Sequence, residues 1–96
     1  MIKNKVSVVF SRDAEKQMNK LDFSIQKRIL DFLYKDLPKY PNPKSIGKSL
    51  KESLRGLWRY RIGDYRVICE FEENQITIVV VHVGHRKEVY KEVKIH

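Results

Sequence analysis

The sequence predicts an α+β domain. A small, mainly antiparallel sheet, made of an N-terminal strand and a three-strand meander, is backed by an N-terminal helical hairpin and followed by a short C-terminal turn or helix. Three observations predict it: two early segments have helical periodicity, a Gly-Asp pair joins two alternating segments, and a valine-rich run precedes the tail. The chain of 96 residues is expected to form one domain, residues 1–96, because it can bury one modest core but not two.

The first 20 residues predict a strand followed by a helix. The segment Lys5–Phe10 is rich in valine, which favours a strand. Ser11 is a good N-cap, and Asp13 and Glu15 would lie in the first turn, where the helix dipole favours acids. We therefore expect a short amphipathic helix from about Arg12 to Lys20.

A second helix and a long loop follow. Asp22 or Ser24 can cap a helix that runs to about Leu37 with an apolar stripe on one side, and Pro38 ends it. The prolines and glycine of the next ten residues, together with several lysines, predict a loop that continues through Lys44–Lys51.

The segment from 57 to 71 predicts a β-hairpin, with strands Leu57–Ile62 and Tyr65–Phe71. Gly63 and Asp64 form a loop of two residues and supply the positive φ that such a loop needs. This loop places Ile62 opposite Tyr65 and sets the register of every other pair along the two strands.

The register sorts the hairpin residues onto two faces, because opposed residues share a face. The apolar face is expected to contact the helices and carries Trp58, Tyr60, Ile62, Tyr65, Val67 and Cys69. The other face carries Arg59, Arg61 and Arg66, with no acid among them. Like charges opposite each other cost stability, so these arginines indicate an anionic partner, with phosphate as the first candidate.

The last strand is expected to be central. Residues Gln75–Val83 are apolar on both faces, which is typical of a strand covered on each side, and Gly84 is expected to end it. If residues 72–75 form a tight turn, then Val79, Val81 and Val83 share the face of the arginines, and His85 has the same parity. The tail after Gly84 predicts a final turn or short helix.

Composition narrows the possible partners. The chain has 20 Lys and Arg against 12 Asp and Glu, a net charge of +8, which favours nucleic acid, an anionic membrane surface or an acidic protein, although solubility alone also explains a basic chain. Cys69 is the only cysteine, which excludes an internal disulfide and a thiolate metal cluster, and its strand position predicts a small buried hydrophobe. No run is long enough for a signal peptide or a membrane span, so a cytoplasmic protein is expected.

Three blocks resemble the RelE/ParE superfamily of toxins from type II toxin–antitoxin pairs. VVFSRDAEKQMNKL is similar to the opening strand and helix of the family, GKSLKESLRGLWRYRIGDYRVICEF to its central block, and VVHVGHRKEVY to its closing signature. The resemblance runs nearly end to end, and it implies the microbial RNase-like RelE fold. It also implies an acidic, partly disordered cognate antitoxin, a toxin–antitoxin hetero-oligomer, and no cofactor or metal.

The superfamily holds two activities on one scaffold. RelE-like members cleave mRNA in the ribosomal A site, and ParE-like members inhibit DNA gyrase by binding alone. The resemblance favours the RelE-like branch, because it assigns phosphate stabilisation to Arg66 and Arg86, and base stacking or proton transfer to Tyr90. His85 is a candidate proton acceptor, since imidazole exchanges protons near neutral pH.

Further basic residues are candidates for RNA binding: Arg59, Arg61, Lys48 and Lys51. Arg59 and Arg61 occupy a place where some relatives carry lysines, and a guanidinium binds phosphate well but is a poor base.

Each assignment has a structural alternative. Arg66 could pair with Glu70 or the C-terminus, Arg59 and Arg61 could hold only the antitoxin, His85 could be a solvated loop residue, and Tyr90 could pack in the core. His82 is expected to be a packed histidine. An inactive relative that only binds a partner is a third reading of the whole chain.

Overall fold

A computed structural model describes residues 7–72 and 77–85. Five strands form one sheet in the order β1-β5-β4-β3-β2. Their bounds are β1 Ser7–Phe10, β2 Lys48–Ser49, β3 Leu57–Ile62, β4 Tyr65–Phe71 and β5 Thr77–His85. β1 pairs with β5 in parallel and the other three pairs are antiparallel, so the predicted α+β class and mainly antiparallel sheet are confirmed. The predicted C-terminal turn or short helix lies outside the described residues.

The first helix, α1 (Arg12–Asn19), forms as predicted, with the Ser11 side chain accepting a hydrogen bond from the backbone N–H of Ala14 at 3.1 Å. The second helix, α2 (Phe23–Asp31), is shorter than predicted, since a π-helical turn, Phe32–Asp36, and a 3₁₀ turn, Leu37–Lys39, continue it. Pro38 therefore lies inside the last helical turn instead of ending an α-helix. Among the described residues, no helix is long and apolar enough to cross a membrane.

The loop predicted at Lys44–Lys51 contains an extra strand. β2 is only two residues long and pairs Lys48 with Arg59 and Ser49 with Trp58. Short 3₁₀ turns, Pro43–Ile46 and Glu52–Leu54, flank it. A strand of two residues, one of them lysine, has no hydrophobic alternation, so periodicity could not detect it.

The hairpin register is as predicted, with Ile62 opposite Tyr65 and Arg61 opposite Arg66. Gly63, the first loop residue, has φ 61°, as a type II′ turn requires. The helices cover the predicted apolar face, and the main core contains Ala14, Met18, Ile29, Leu33, Leu37, Tyr60, Ile62, Val67, Cys69, Ile78, Val80 and Val83. Trp58 is only half-buried, and its ring packs edge-on against Phe71 with the centroids 5.7 Å apart.

β5 is central, as predicted, but its face pattern differs from simple alternation. A β-bulge at Val81 and His82 shifts the register against β4 between Ile68 and Cys69. Val83 therefore joins the helix-covered core, and the prediction that it shares the face of the arginines is wrong. Gly84 does not end the strand, which continues to His85.

The N-cap residue Ser11 and the Gln17 side chain of α1 cover the outer edge of β5 where β1 ends. The backbone N–H of Ser11 donates to Val80 O at 2.8 Å, and the backbone N–H of Val83 donates to Gln17 Oε1 at 2.7 Å. Gln17 Nε2 lies 3.0 Å from Nδ1 of His82, which is buried, as predicted. Because the amide oxygen already accepts from Val83, the nitrogen donates to Nδ1, and the His82 ring carries its proton on Nε2.

Candidate functional site

The face of the sheet opposite the helices, called the open face below, is basic at one end and apolar at the other. The pairs Lys48–Arg59 and Arg61–Arg66 lie in adjacent rows on it. The apolar end is a second, smaller cluster built on Leu57 and Ile68, with Leu50, Leu54 and Val81 packed around them. The open face therefore offers both positive charge and apolar surface.

The four cations differ in exposure. Lys48 and Arg61 are exposed, Arg59 is half-buried, and Arg66 is buried, with 7% of its surface accessible. The sequence placed three arginines on this face, and that is correct, but it did not indicate that Arg66 is buried.

Arg66 is held against the hairpin turn. Its Nη1 donates to Tyr65 O at 3.1 Å and to Gly63 O at 3.4 Å. Gly84 lies opposite it on β5, so no β5 side chain stands beside the guanidinium in that row. Arg66 therefore stabilises the turn, and its guanidinium is fixed in direction before any ligand binds.

His85 lies on the other face. It pairs with Tyr65, and the two rings meet edge to face with centroids 5.7 Å apart. Tyr65 packs against the helix-covered core, so the bulge turns His85 away from the open face, and the parity predicted for it is wrong. Arg86 and Tyr90 lie outside the described residues.

The lysines of the 44–51 segment have separate roles. Lys48 is paired with Arg59 at the basic end of the open face. Lys51 is exposed but lies beyond β2, toward the end of β3 that starts at Leu57. The ammonium of Lys44 stacks on the Trp58 ring, 4.7 Å from its centroid, so it packs against the sheet edge.

Two groups near the site are chemically inert. Burial raises the pKa of the Tyr60 phenol well above its usual range, so the hydroxyl stays protonated and donates to Pro43 O. Burial also raises the pKa of the Cys69 thiol, which is fully covered, so the cysteine is a packing residue as predicted.

Comparison with known proteins gives a consistent picture. A family model described as the ParE toxin of the type II toxin–antitoxin system, parDE, matches residues 8–90. Toxin RelG of Mycobacterium tuberculosis is 29% identical over 85 residues, which cover 88% of this chain and 95% of that protein. Toxin RelE of the same organism is 27% identical over 84 residues, covering 88% of this chain and 84% of that toxin.

Among solved structures, the fold is similar to that in the toxin–antitoxin complex RelBE2 from Mycobacterium tuberculosis. The TM-score is 0.76 at 29% identity, with 85% of this chain and 99% of that chain covered.

Proposed function

Because the chain belongs to the ParE toxin family of type II toxin–antitoxin systems, we propose that this toxin is a ribosome-dependent endoribonuclease that cuts mRNA in the A site and stops translation. The observation that carries the proposal is the Arg61–Arg66 pair on the open face, with the guanidinium of Arg66 anchored at the turn. The similarity to two proteins named RelG and RelE toxins supports the same branch.

The proposed reaction uses no metal ion, because the RNA supplies the attacking 2′-hydroxyl. The 2′-oxygen of one nucleotide attacks the adjacent phosphorus, the bond to the 5′-oxygen breaks, and the products are a 2′,3′-cyclic phosphate and a 5′-hydroxyl. One group accepts the 2′-hydroxyl proton, another protonates the leaving 5′-oxygen, and cationic donors stabilise the charge on the phosphorane. A guanidinium suits the last role because it binds two phosphate oxygens at once and keeps its charge.

Four residues carry the proposed chemistry. Arg66 and Arg86 stabilise the phosphorane charge, and His85 and Tyr90 share proton transfer and base stacking. Arg59, Arg61, Lys48 and Lys51 hold the RNA backbone. His85 follows Gly84, the residue paired with Arg66, so the proposed proton acceptor is next along β5 to the row of the proposed phosphate-binding arginine.

Primer extension on a defined mRNA in a purified translation system tests the proposal, with and without ribosomes. We expect wild-type cuts at A-site codons only when ribosomes are present, and a loss of about 100-fold or more in cleavage for Arg66→Ala, as for removal of one donor to a transition-state oxyanion. Arg12→Ala removes the same charge from the exposed surface of α1 and should cut normally. Full cleavage by Arg66→Ala would exclude the assigned role.

Arg66 also holds the hairpin turn, so a folding control is needed. Arg66→Lys keeps the charge but has no planar fork, and its thermal unfolding should be measured beside that of Arg66→Ala. A variant that is folded at the assay temperature and still fails to cut separates chemistry from structure.

A second candidate function is inhibition of DNA gyrase by binding alone, without chemistry. The matching family model carries the ParE name, and the structure buries Arg66 and turns His85 to the opposite face. The absence of cuts under every ribosome condition, together with inhibition of gyrase supercoiling, would favour it.

The partner in either case is a cognate antitoxin, which we propose to be acidic and partly disordered before binding. The RelBE2 structure is of a toxin–antitoxin complex. The open face supports this partner because an acidic segment there would neutralise Lys48, Arg59 and Arg61 and relieve their mutual repulsion.

A further inference from the structure

A pocket of about 140 Å³ opens at the outer edge of β3, next to the start of β2. We call it the edge pocket, and it is lined by Phe32, Ile46, Gly47, Lys48, Arg59, Tyr60 and Arg61. Its interior is apolar and aromatic, and its rim is cationic. It lies at the margin of the open face and shares Arg61 with the Arg61–Arg66 row, but Arg66 does not line it.

Residues 43–47, which include one wall of the edge pocket, are attached to β3 by hydrogen bonds and close packing. Tyr60 donates its hydroxyl hydrogen to Pro43 O, and Trp58 Nε1 donates to Lys44 O at 3.1 Å. Gly47 lies so close to the strand that an added Cβ would stand 2.9 Å from Arg59 O. The pocket is therefore formed before a ligand arrives, and a ligand would lose little free energy in ordering it.

The edge of β3 also presents backbone groups to the edge pocket. In a hairpin with a two-residue loop, the backbone N–H and C=O of Ile62 bond to β4. Because these groups point to alternate sides along a strand, the N–H and C=O of Arg61 point away from β4. β2 starts at Lys48, opposite Arg59, and pairs only with Arg59 and Trp58, so no β2 residue pairs with Arg61. One donor and one acceptor therefore lie beside the apolar interior, and the Watson–Crick edge of every nucleobase carries such a pair.

We propose that the edge pocket binds one nucleotide of single-stranded RNA, outside the nucleotides that react. The base lies against Phe32 and Ile46 and bonds to the Arg61 backbone, while Lys48 and the Arg61 guanidinium contact its phosphate. The interior favours a flat, neutral ring over an acidic peptide side chain, since a carboxylate there would bury its charge against apolar atoms. This inference rests on the proposed function, because it extends the contact with the same substrate.

The test measures binding of a short 2′-O-methyl RNA, which cannot supply the attacking hydroxyl. Fluorescence anisotropy at several salt concentrations gives the affinity and its salt dependence. Lys48→Gln should weaken binding several-fold and reduce the slope of log K against log[salt] by about 0.7, as expected for one lost phosphate contact to a single strand. Lys16→Gln, on α1 at the opposite side of the sheet, should leave both quantities unchanged.

If a base occupies the edge pocket, removing that base and mutating Ile46 should have coupled effects on binding. Charge alone would not produce this coupling. Ile46 is 36% exposed, so Ile46→Ser should fold normally, weaken binding about five-fold or more, and leave the salt slope unchanged. An abasic nucleotide is placed at successive positions of the RNA. At one position it should weaken binding to wild type but have little further effect on binding to Ile46→Ser. Val9→Ser, at an exposed site on β1, is the matched control and should show no such coupling.

The outcomes for the edge pocket and for the proposed function are distinct. If no abasic position couples to Ile46→Ser, or if Ile46→Ser and Lys48→Gln weaken only antitoxin binding, the edge pocket does not hold a nucleotide. If the coupling is found but wild type cuts no mRNA, the nucleotide site stands and the endonuclease proposal fails. If wild type cuts mRNA but no coupling is found, the endonuclease proposal stands and the nucleotide site in the edge pocket fails.

Discussion

Gln17 joins α1 to β5 at the point where β1 ends, and replacing it with leucine should strongly destabilise the protein. The substitution keeps the approximate volume of the side chain but removes both hydrogen bonds, the one at 2.7 Å from Val83 N–H and the one at 3.0 Å to His82 Nδ1. Val83 and His82 are each 3% exposed, so water cannot easily replace the amide. Both β5 groups would lose their partner in α1.

The size of the destabilisation depends on the two buried polar groups of β5 that lose their hydrogen bond to Gln17. A buried polar group that loses its partner costs about 1–3 kcal/mol. We expect Gln17→Leu to lower the free energy of unfolding by about 2–4 kcal/mol, a large part of the roughly 5–15 kcal/mol typical of a domain. For a chain of this size, that loss lowers the unfolding temperature by about 10 °C or more.

Urea denaturation followed by circular dichroism measures the loss. Lys16→Leu, at the exposed neighbouring position of α1, should change the free energy of unfolding by less than about 0.5 kcal/mol. A loss below about 0.5 kcal/mol for Gln17→Leu would refute the argument that this amide covers the edge of β5.

Gln17→Glu provides an independent test of the same geometry. The carboxylate can accept from Val83 N–H but cannot donate to His82, so the imidazole must move its proton to Nδ1 or become doubly protonated. Nitrogen chemical shifts of His82 should therefore show Nδ1 unprotonated in wild type and protonated in the variant. The same protonation of Nδ1 in both proteins would contradict the assigned direction of the hydrogen bond.

Three further perturbations test separate parts of the structure. Gly47→Ala would place a Cβ 2.8 Å from the Tyr60 ring and 2.9 Å from Arg59 O, so it should destabilise by about 1–3 kcal/mol in urea denaturation, whereas Ser49→Ala in exposed β2 should be nearly neutral. The Cys69 thiol, fully buried and with its pKa raised by burial, should resist iodoacetamide at pH 8 in the native state and react in guanidinium, and rapid native labelling would contradict its position. Binding of the antitoxin that we propose to be acidic should raise the thermal unfolding midpoint markedly, because an acidic segment would neutralise the open face, and equal midpoints with and without antitoxin would contradict that account.

The parts of the fold that depend on local chemistry were predictable from the sequence. Gly63 and Asp64 determine a loop of two residues, and that loop alone sets which face each hairpin side chain occupies. Ser11 marks the start of α1 for an equally local reason, the hydrogen bond between its side chain and Ala14 N–H. The helix-covered position of Tyr60 followed from the hairpin register, and the central position of β5 followed from its apolar residues on both faces.

The features that depend on tertiary contacts were not predictable in this way. β2 exists because Lys48 and Ser49 lie beside β3, not because two such residues favour a strand. The bulge at Val81 and His82 leaves no mark in a run of apolar residues, yet it changes the face of every residue after it. The burial of Arg66 depends on the turn carbonyls that its guanidinium contacts.

The bulge has a direct consequence for the candidate chemistry. Without it, His85 would share the open face with Arg61 and Arg66. With it, His85 meets Tyr65 on the helix-covered face, and Gly84 is the residue across from Arg66. The proposed phosphate-binding groups and the proposed proton acceptor therefore lie on opposite faces of the sheet, at neighbouring positions along β5. For this reason, His85→Gln should reduce cleavage without weakening RNA binding, whereas Arg61→Gln should weaken both. Equal loss of binding in the two variants would place His85 on the RNA-binding surface itself.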